Sequence, residues 1–83
     1  MKAQEIKEIN KIESIHNNEF SNLYDAVARI DETMFHGYDV FETDIHTARE
    51  LYKQLPVNEY PEHCQDVIND CEKILIIADK RSR

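Results

Sequence analysis

Residues 16–37 read HNNEFSNLYDAVARIDETMFHG. His16, Phe20, Leu23, Val27, Ile30 and Met34 recur at spacings of 4, 3, 4, 3 and 4, an unbroken a/d seam that predicts an amphipathic helix. Gly37, the only glycine, follows directly. Glycine just past a periodic helix takes positive φ without strain and marks its end. Upstream, Ile6, Ile9, Ile12 and Ile15 recur every three residues. A three-residue step falls short of a full turn by about 60°, so this stripe winds around the helix relative to the later seam. Asn17 and Asn18 sit where the pattern changes, and asparagine is a weak helix former and a good N-cap. The reading is one helix over 3–35, with two helices meeting at a bend near Asn17 as the alternative. A continuous helix of about 30 residues would be roughly 45 Å long.

Beyond Gly37, Thr43 or Asp44 offers a cap for a second helix over 43–55, carrying Ile45, Ala48, Leu51, Tyr52 and Leu55. Pro56 ends it, because the residue before a proline is pushed out of the α region. Pro61 fits the first turn of a third helix over 61–80, where its missing N–H costs nothing. Cys64, Val67, Cys71, Ile74 and Ala78 are spaced 3, 4, 3 and 4 there, with Ile68 and Leu75 widening the stripe. A strand over 74–77 competes, but the seam continuing upstream favours helix. The expected fold is all-α: a three-helix antiparallel bundle with a long first helix, forming one domain over residues 1–83. The second and third helices are too short to cover the first. Exposed contiguous apolar surface marks an interface, so Ile6, Ile9, Ile12 and Ile15 are the expected self-association residues of a homodimer.

Composition bounds the rest. With 83 residues, 41 % of them hydrophobic and 33 % charged, the chain has material for one small core and no second domain. No stretch approaches the ~18–20 apolar residues of a membrane span, and the first residues lack the apolar region of a signal peptide. The expected setting is the cytoplasm, without a membrane partner. Cys64 and Cys71 are then thiols; on a helix their Cα atoms would lie roughly 10 Å apart, too far for a disulfide.

The reactive side chains fall short of known site patterns. Glu13 and His16 form a Glu-x-x-His pair, but a bundle di-metal site uses two such pairs and two further glutamates. His63, Cys64 and Cys71 lack the close ligand pairs of a zinc site, and a buried cysteine commonly behaves as a small hydrophobe. Cys64 beside His63 is the one nucleophile candidate, with little chain left over to build a pocket. One glycine cannot make a phosphate loop. No enzymatic activity, catalytic residue, metal or cofactor is expected.

The charge is informative. Ten basic and 17 acidic residues give a net −7. Residues 17–50 hold eight acidic and two basic groups, a net −6. Direct nucleic-acid binding needs clustered Lys and Arg, whereas only Lys80, Arg81 and Arg83 cluster. A local acidic field attracts a basic surface, although acidic residues also keep a small protein soluble. Met34, Phe35, His36, Tyr38, Val40 and Phe41 surround the Gly37 turn; six such neighbours cannot all face inward, and aromatics favour interface centres. The expected function is an acidic binding module, inhibitor-like or regulatory, that engages a basic surface of a protein partner. Its binding residues would be Asp31, Glu32, Phe35, Tyr38, Asp39, Phe41, Glu42 and Asp44. Where that surface normally holds nucleic acid, binding would act by mimicry. By analogy such chains suit phage or mobile elements. Two alternatives are an assembly module built on the isoleucine stripe and a metal or small-ligand binder at a dimer interface.

Overall fold

Phe20, Leu23, Val27, Ile30 and Met34 are all buried, on the second of four α-helices among the described residues. The computed structural model describes residues 3–82, with side chains from Glu8 to Ser82. Its elements are α1 (Ala3–Ile15), α2 (Asn17–Phe35), α3 (Glu42–Glu50), a 3-10 turn over Leu51–Gln54, and α4 (Pro61–Arg81). No strand occurs among the described residues; Val40 and Ser82 form an isolated parallel bridge. The fold is all-α, and no described helix is long and apolar enough to cross a membrane.

The expected continuous helix over 3–35 is corrected: the chain leaves helical geometry at His16, with φ −108° and ψ 38°. The backbone ladder stays intact around it, through His16 N–H to Ile12 C=O at 3.1 Å and Phe20 N–H to His16 C=O at 3.2 Å. Two facts favour the interruption. On one straight helix Ile15, the last residue of the winding stripe, would fall well off the face of the later seam. The longest dimension of the molecule is 41 Å, short of the roughly 50 Å that a straight helix over 3–35 would need. Ile12 is buried in the core. The three-helix count therefore becomes four.

α2 and α4 run parallel. Near their starts the Phe20 and His63 rings lie 5.4 Å apart; near their ends Phe35, Ile77 and Arg81 line one groove. α3 runs back between them, so each sequential pair among α2, α3 and α4 is antiparallel, as short loops require. Its expected range of 43–55 is also corrected. α3 starts one residue earlier, with Phe41 as N-cap in extended conformation rather than Thr43 or Asp44. Glu42 and Asp44 lie in its first turn instead, where carboxylates favour the helix dipole. The last residues tighten into the 3-10 turn, and Leu55 is extended ahead of Pro56, as the proline demands. In α4 the buried residues are Cys64, Val67, Cys71, Leu75 and Ala78. Leu75 replaces Ile74 in the core, and Ile74 is only partly buried.

A polar clamp joins α3 to α4. Arg49 Nε donates to Glu72 Oε2 and Nη2 to Glu72 Oε1, both at 3.1 Å. Its Nη2 also lies 2.8 Å from Asp79 Oδ2, and Tyr52 Oη donates to Glu72 Oε2 at 2.7 Å. Partial burial alone would raise the Glu72 pKa, but the bonds from Arg49 and Tyr52 outweigh it and hold the carboxyl below its ordinary value. A depressed carboxylate contributes stability that is fully present above the unfolded value of about 4.3 and lost as pH falls through the folded value. Glu72→Gln is therefore expected to lower the urea midpoint at neutral pH and to differ less from wild type near pH 3. Urea titrations of both proteins at the two pH values check this.

Candidate protein-binding surface

The last turn of α2 closes as a Schellman motif. Tyr38 N–H donates to Thr33 C=O and Gly37 N–H to Met34 C=O, both at 3.0 Å, and Gly37 has φ 78°. These bonds satisfy carbonyls that the helix end leaves open. The motif also sorts the cluster predicted around the turn. Met34 and Val40 point into the core. Phe35 is 86 % exposed, Tyr38 71 % and Phe41 61 %. The His36 ring stands between two of these: 5.5 Å from Phe35, edge-on, and 6.2 Å from Tyr38, tilted. The result is a raised aromatic tip.

All five predicted carboxylates, Asp31, Glu32, Asp39, Glu42 and Asp44, are exposed. Four of them divide into two kinds. Glu42 and Asp44 stabilise the α3 N-terminus, so local structure accounts for them. Asp31 and Glu32 lie at the other end of a helix, by the C-terminus of α2, where no basic residue occupies the last turn. Negative charge on Glu32, in that last turn, opposes the helix dipole by about 0.3–1 kcal/mol, and Asp31 stands just before it. His36 Nε2, 3.8 Å from Glu32 Oε1, offers a long contact as compensation. Helix stability alone thus gives no reason for Asp31 and Glu32.

The expected self-association residues part company. The Ile6 side chain lies outside the described residues. Ile9 is half-buried, Ile12 is a core residue of the single chain, and Ile15 is 61 % exposed. Ile12 is spent on the chain's own interior because α1 leans on the start of α4.

The Glu13–His16 pair is also separated. Glu13 accepts from Tyr24 Oη at 3.0 Å, and His63 Nε2 lies 2.9 Å from its other oxygen. His16 turns to Glu59, at 3.5 Å, and packs edge-on to Tyr60. Partial burial and the bond to Glu13 push the Tyr24 hydroxyl pKa up. This network joins α1, α2 and α4. Sequence reading missed it, since its members lie 11 and 50 residues apart. Among the described residues no three His, Cys, Asp or Glu side chains converge as metal ligands.

Cys64 and Cys71 are free thiols buried in the core. Burial raises both pKa values, that of Cys71 to about 11. Neither sits in the electropositive, accessible setting that activates a thiol.

No protein-family model, curated protein or solved structure matches the chain. Its reading rests on geometry and charge.

Gly37→Ala is expected to destabilise the chain by about 1–2 kcal/mol through the positive φ alone, since an added Cβ would meet nothing within 4 Å. Gly37→Asn should cost less, because asparagine tolerates that region; thermal melts of the two variants check the order. Both thiols are expected to react slowly with a disulfide reagent at pH 8 and rapidly in denaturing urea. Fast labelling of the folded chain would contradict their burial.

Proposed function

We propose that the chain is a small acidic protein-binding module, an inhibitor or regulator, whose aromatic tip docks on a basic surface of a partner protein. The observation that carries this reading is the exposure of Phe35, Tyr38 and Phe41 within residues 35–41, with the exposed Asp31, Glu32, Asp39, Glu42 and Asp44 close by in sequence. Water-exposed aromatic area is unfavourable by roughly 25 cal/mol per Å² relative to burial. Aromatics are the residues that anchor interface centres, while rim charges steer association. Where the partner's basic surface ordinarily holds nucleic acid, the carboxylates would occupy it in place of phosphates. Free thiols suit the reducing cytoplasm, which is the setting of this reading.

A second reading draws on Ile15. Its exposure beside the half-buried Ile9 supports an assembly module, in which two copies pair along α1 and the acidic groups only solvate the surface.

Affinity capture from the expressing cells, followed by kinetics on the recovered partner, separates the two. Reversing Asp39, Glu42 and Asp44 to lysine is expected to slow association and flatten its salt dependence. Tyr38→Ala or Phe41→Ala should speed dissociation, by about 2 kcal/mol if the ring is a hot spot. Equal binding by the charge-reversed chain at low and high salt would discard the acidic tip. An Ile15→Asp variant that abolishes self-association would then establish the assembly reading.

A further inference from the structure

The face of the bundle opposite α3 carries a groove that runs between α2 and α4. Its two stretches share Ala28, Asp31 and Ile74, so they adjoin end to end along one face. Its α2 edge is Tyr24, Ala28, Asp31 and Phe35, spaced 4, 3 and 4. Its α4 edge is Asp70, Ile74, Ile77 and Arg81, with the same spacing. Val27 and Cys71 line its base. These edges are distinct from the core seams. On α4, Asp70 and Ile74 lie two residues either side of Glu72, which faces Arg49 on α3; two residues turn a helix by about 200°. The parallel helices α2 and α4 thus present a second, heptad-spaced seam to solvent. Ile77 on it is 51 % exposed and Phe35 more so.

We infer that this groove receives an amphipathic basic helix from the partner protein. The inference rests on the proposal that the chain binds a basic partner, and it specifies the element bound. Two ridges at heptad spacing are what a further helix packs against, its side chains entering the holes between them. From Tyr24 to Phe35 the groove is about 16 Å long, or three turns of the incoming helix. Charge selects among occupants. Asp31 on one edge and Asp70 on the other flank the apolar middle, and Glu32 adds to the first. Arg81 is the basic residue of the lining and sits at one end. A helix with an apolar stripe and Lys or Arg on both flanks meets Asp31 and Glu32 on one edge and, at the end of the groove away from Arg81, Asp70 on the other, which also lies 3.5 Å from Lys73 Nζ. A second copy of the chain would bring a further net −7 and its own edge carboxylates. In helix-in-groove docking an amphipathic helix lays its apolar face into such a groove.

The test uses two synthetic peptides of about 16 residues, a little longer than the groove. Both carry one leucine stripe; one is flanked by lysine, the other by glutamate. Each is titrated into the intact chain by fluorescence anisotropy at low salt, with NMR shift mapping. The lysine peptide is expected to bind and to perturb amides along α2 and α4, with the glutamate peptide at least about tenfold weaker. The double variant Asp31→Lys with Asp70→Lys, both on exposed positions, should reverse that order. Circular dichroism confirms that the variant folds. No binding, equal binding of the two peptides, or indifference to the double reversal overturns the inference. So does concentration-dependent self-association that fills the groove without peptide. The captured partner distinguishes this failure from that of the tip reading. Binding lost with Tyr38→Ala but kept with the groove variant removes the groove alone. Binding kept with Tyr38→Ala but lost with Asp70→Lys alone, a groove position outside the tip, removes the tip alone.

Discussion

Arg49 fixes where the third helix can lie. α3 has nine residues, too few to persist by backbone bonding alone. Its apolar contribution is Ile45 and Ala48, both buried. The guanidinium adds direction: its planar fork meets both oxygens of Glu72 and reaches Asp79 as well. A lysine could supply the charge but not that bidentate geometry. Glu72 and Asp79 are seven residues apart, two turns along α4, so one arginine sets both the height and the orientation of α3. The start of α3 then falls beside the ends of α2 and α4, where Val40 pairs with Ser82. Of residues 35–41 only Val40 is buried, and Phe35, Tyr38 and Phe41 stay in water.

The parts of the fold that were legible in the sequence share one property: they are local. The seam of Phe20, Leu23, Val27, Ile30 and Met34, the stop at Gly37, the extended Leu55 and the start at Pro61 each follow from a spacing or from one residue's stereochemistry. The interruption at His16 was only half legible. Asn17 and Asn18 mark the place, but the choice between one helix and two depends on whether Ile12 finds a core, and that core comes from α4. Tyr52, in the 3-10 turn after Glu50, likewise bonds Glu72 on another helix. Pairs 20 to 50 residues apart, such as Arg49 with Glu72 and Glu13 with His63, leave no periodic trace.

The candidate surface was legible for a related reason. Six apolar or aromatic residues in eight positions around a turn cannot share one inward direction, so outward-facing rings follow from counting. Which rings they are needed the Schellman geometry. The α2–α4 groove was hidden because its edges mix alanine, aspartate and arginine with isoleucine and phenylalanine. Their 4-3-4 spacing carries too little hydrophobic contrast to stand out beside the core seams.

Acidic composition by itself does not separate solvation from recognition, but position relative to the helices does. Glu42 and Asp44 sit where the α3 dipole favours them, and Glu50 bonds Lys53 one turn on, at 3.0 Å. These carboxylates have local electrostatic reasons to be where they are. Glu32 has the opposite relation to its helix, and with Asp31 it lines the groove beside Phe35. A charge kept against the local field, next to apolar area kept in water, is two unfavourable choices at one place. One partner that is both basic and apolar would relieve both at once, and solubility alone would require neither.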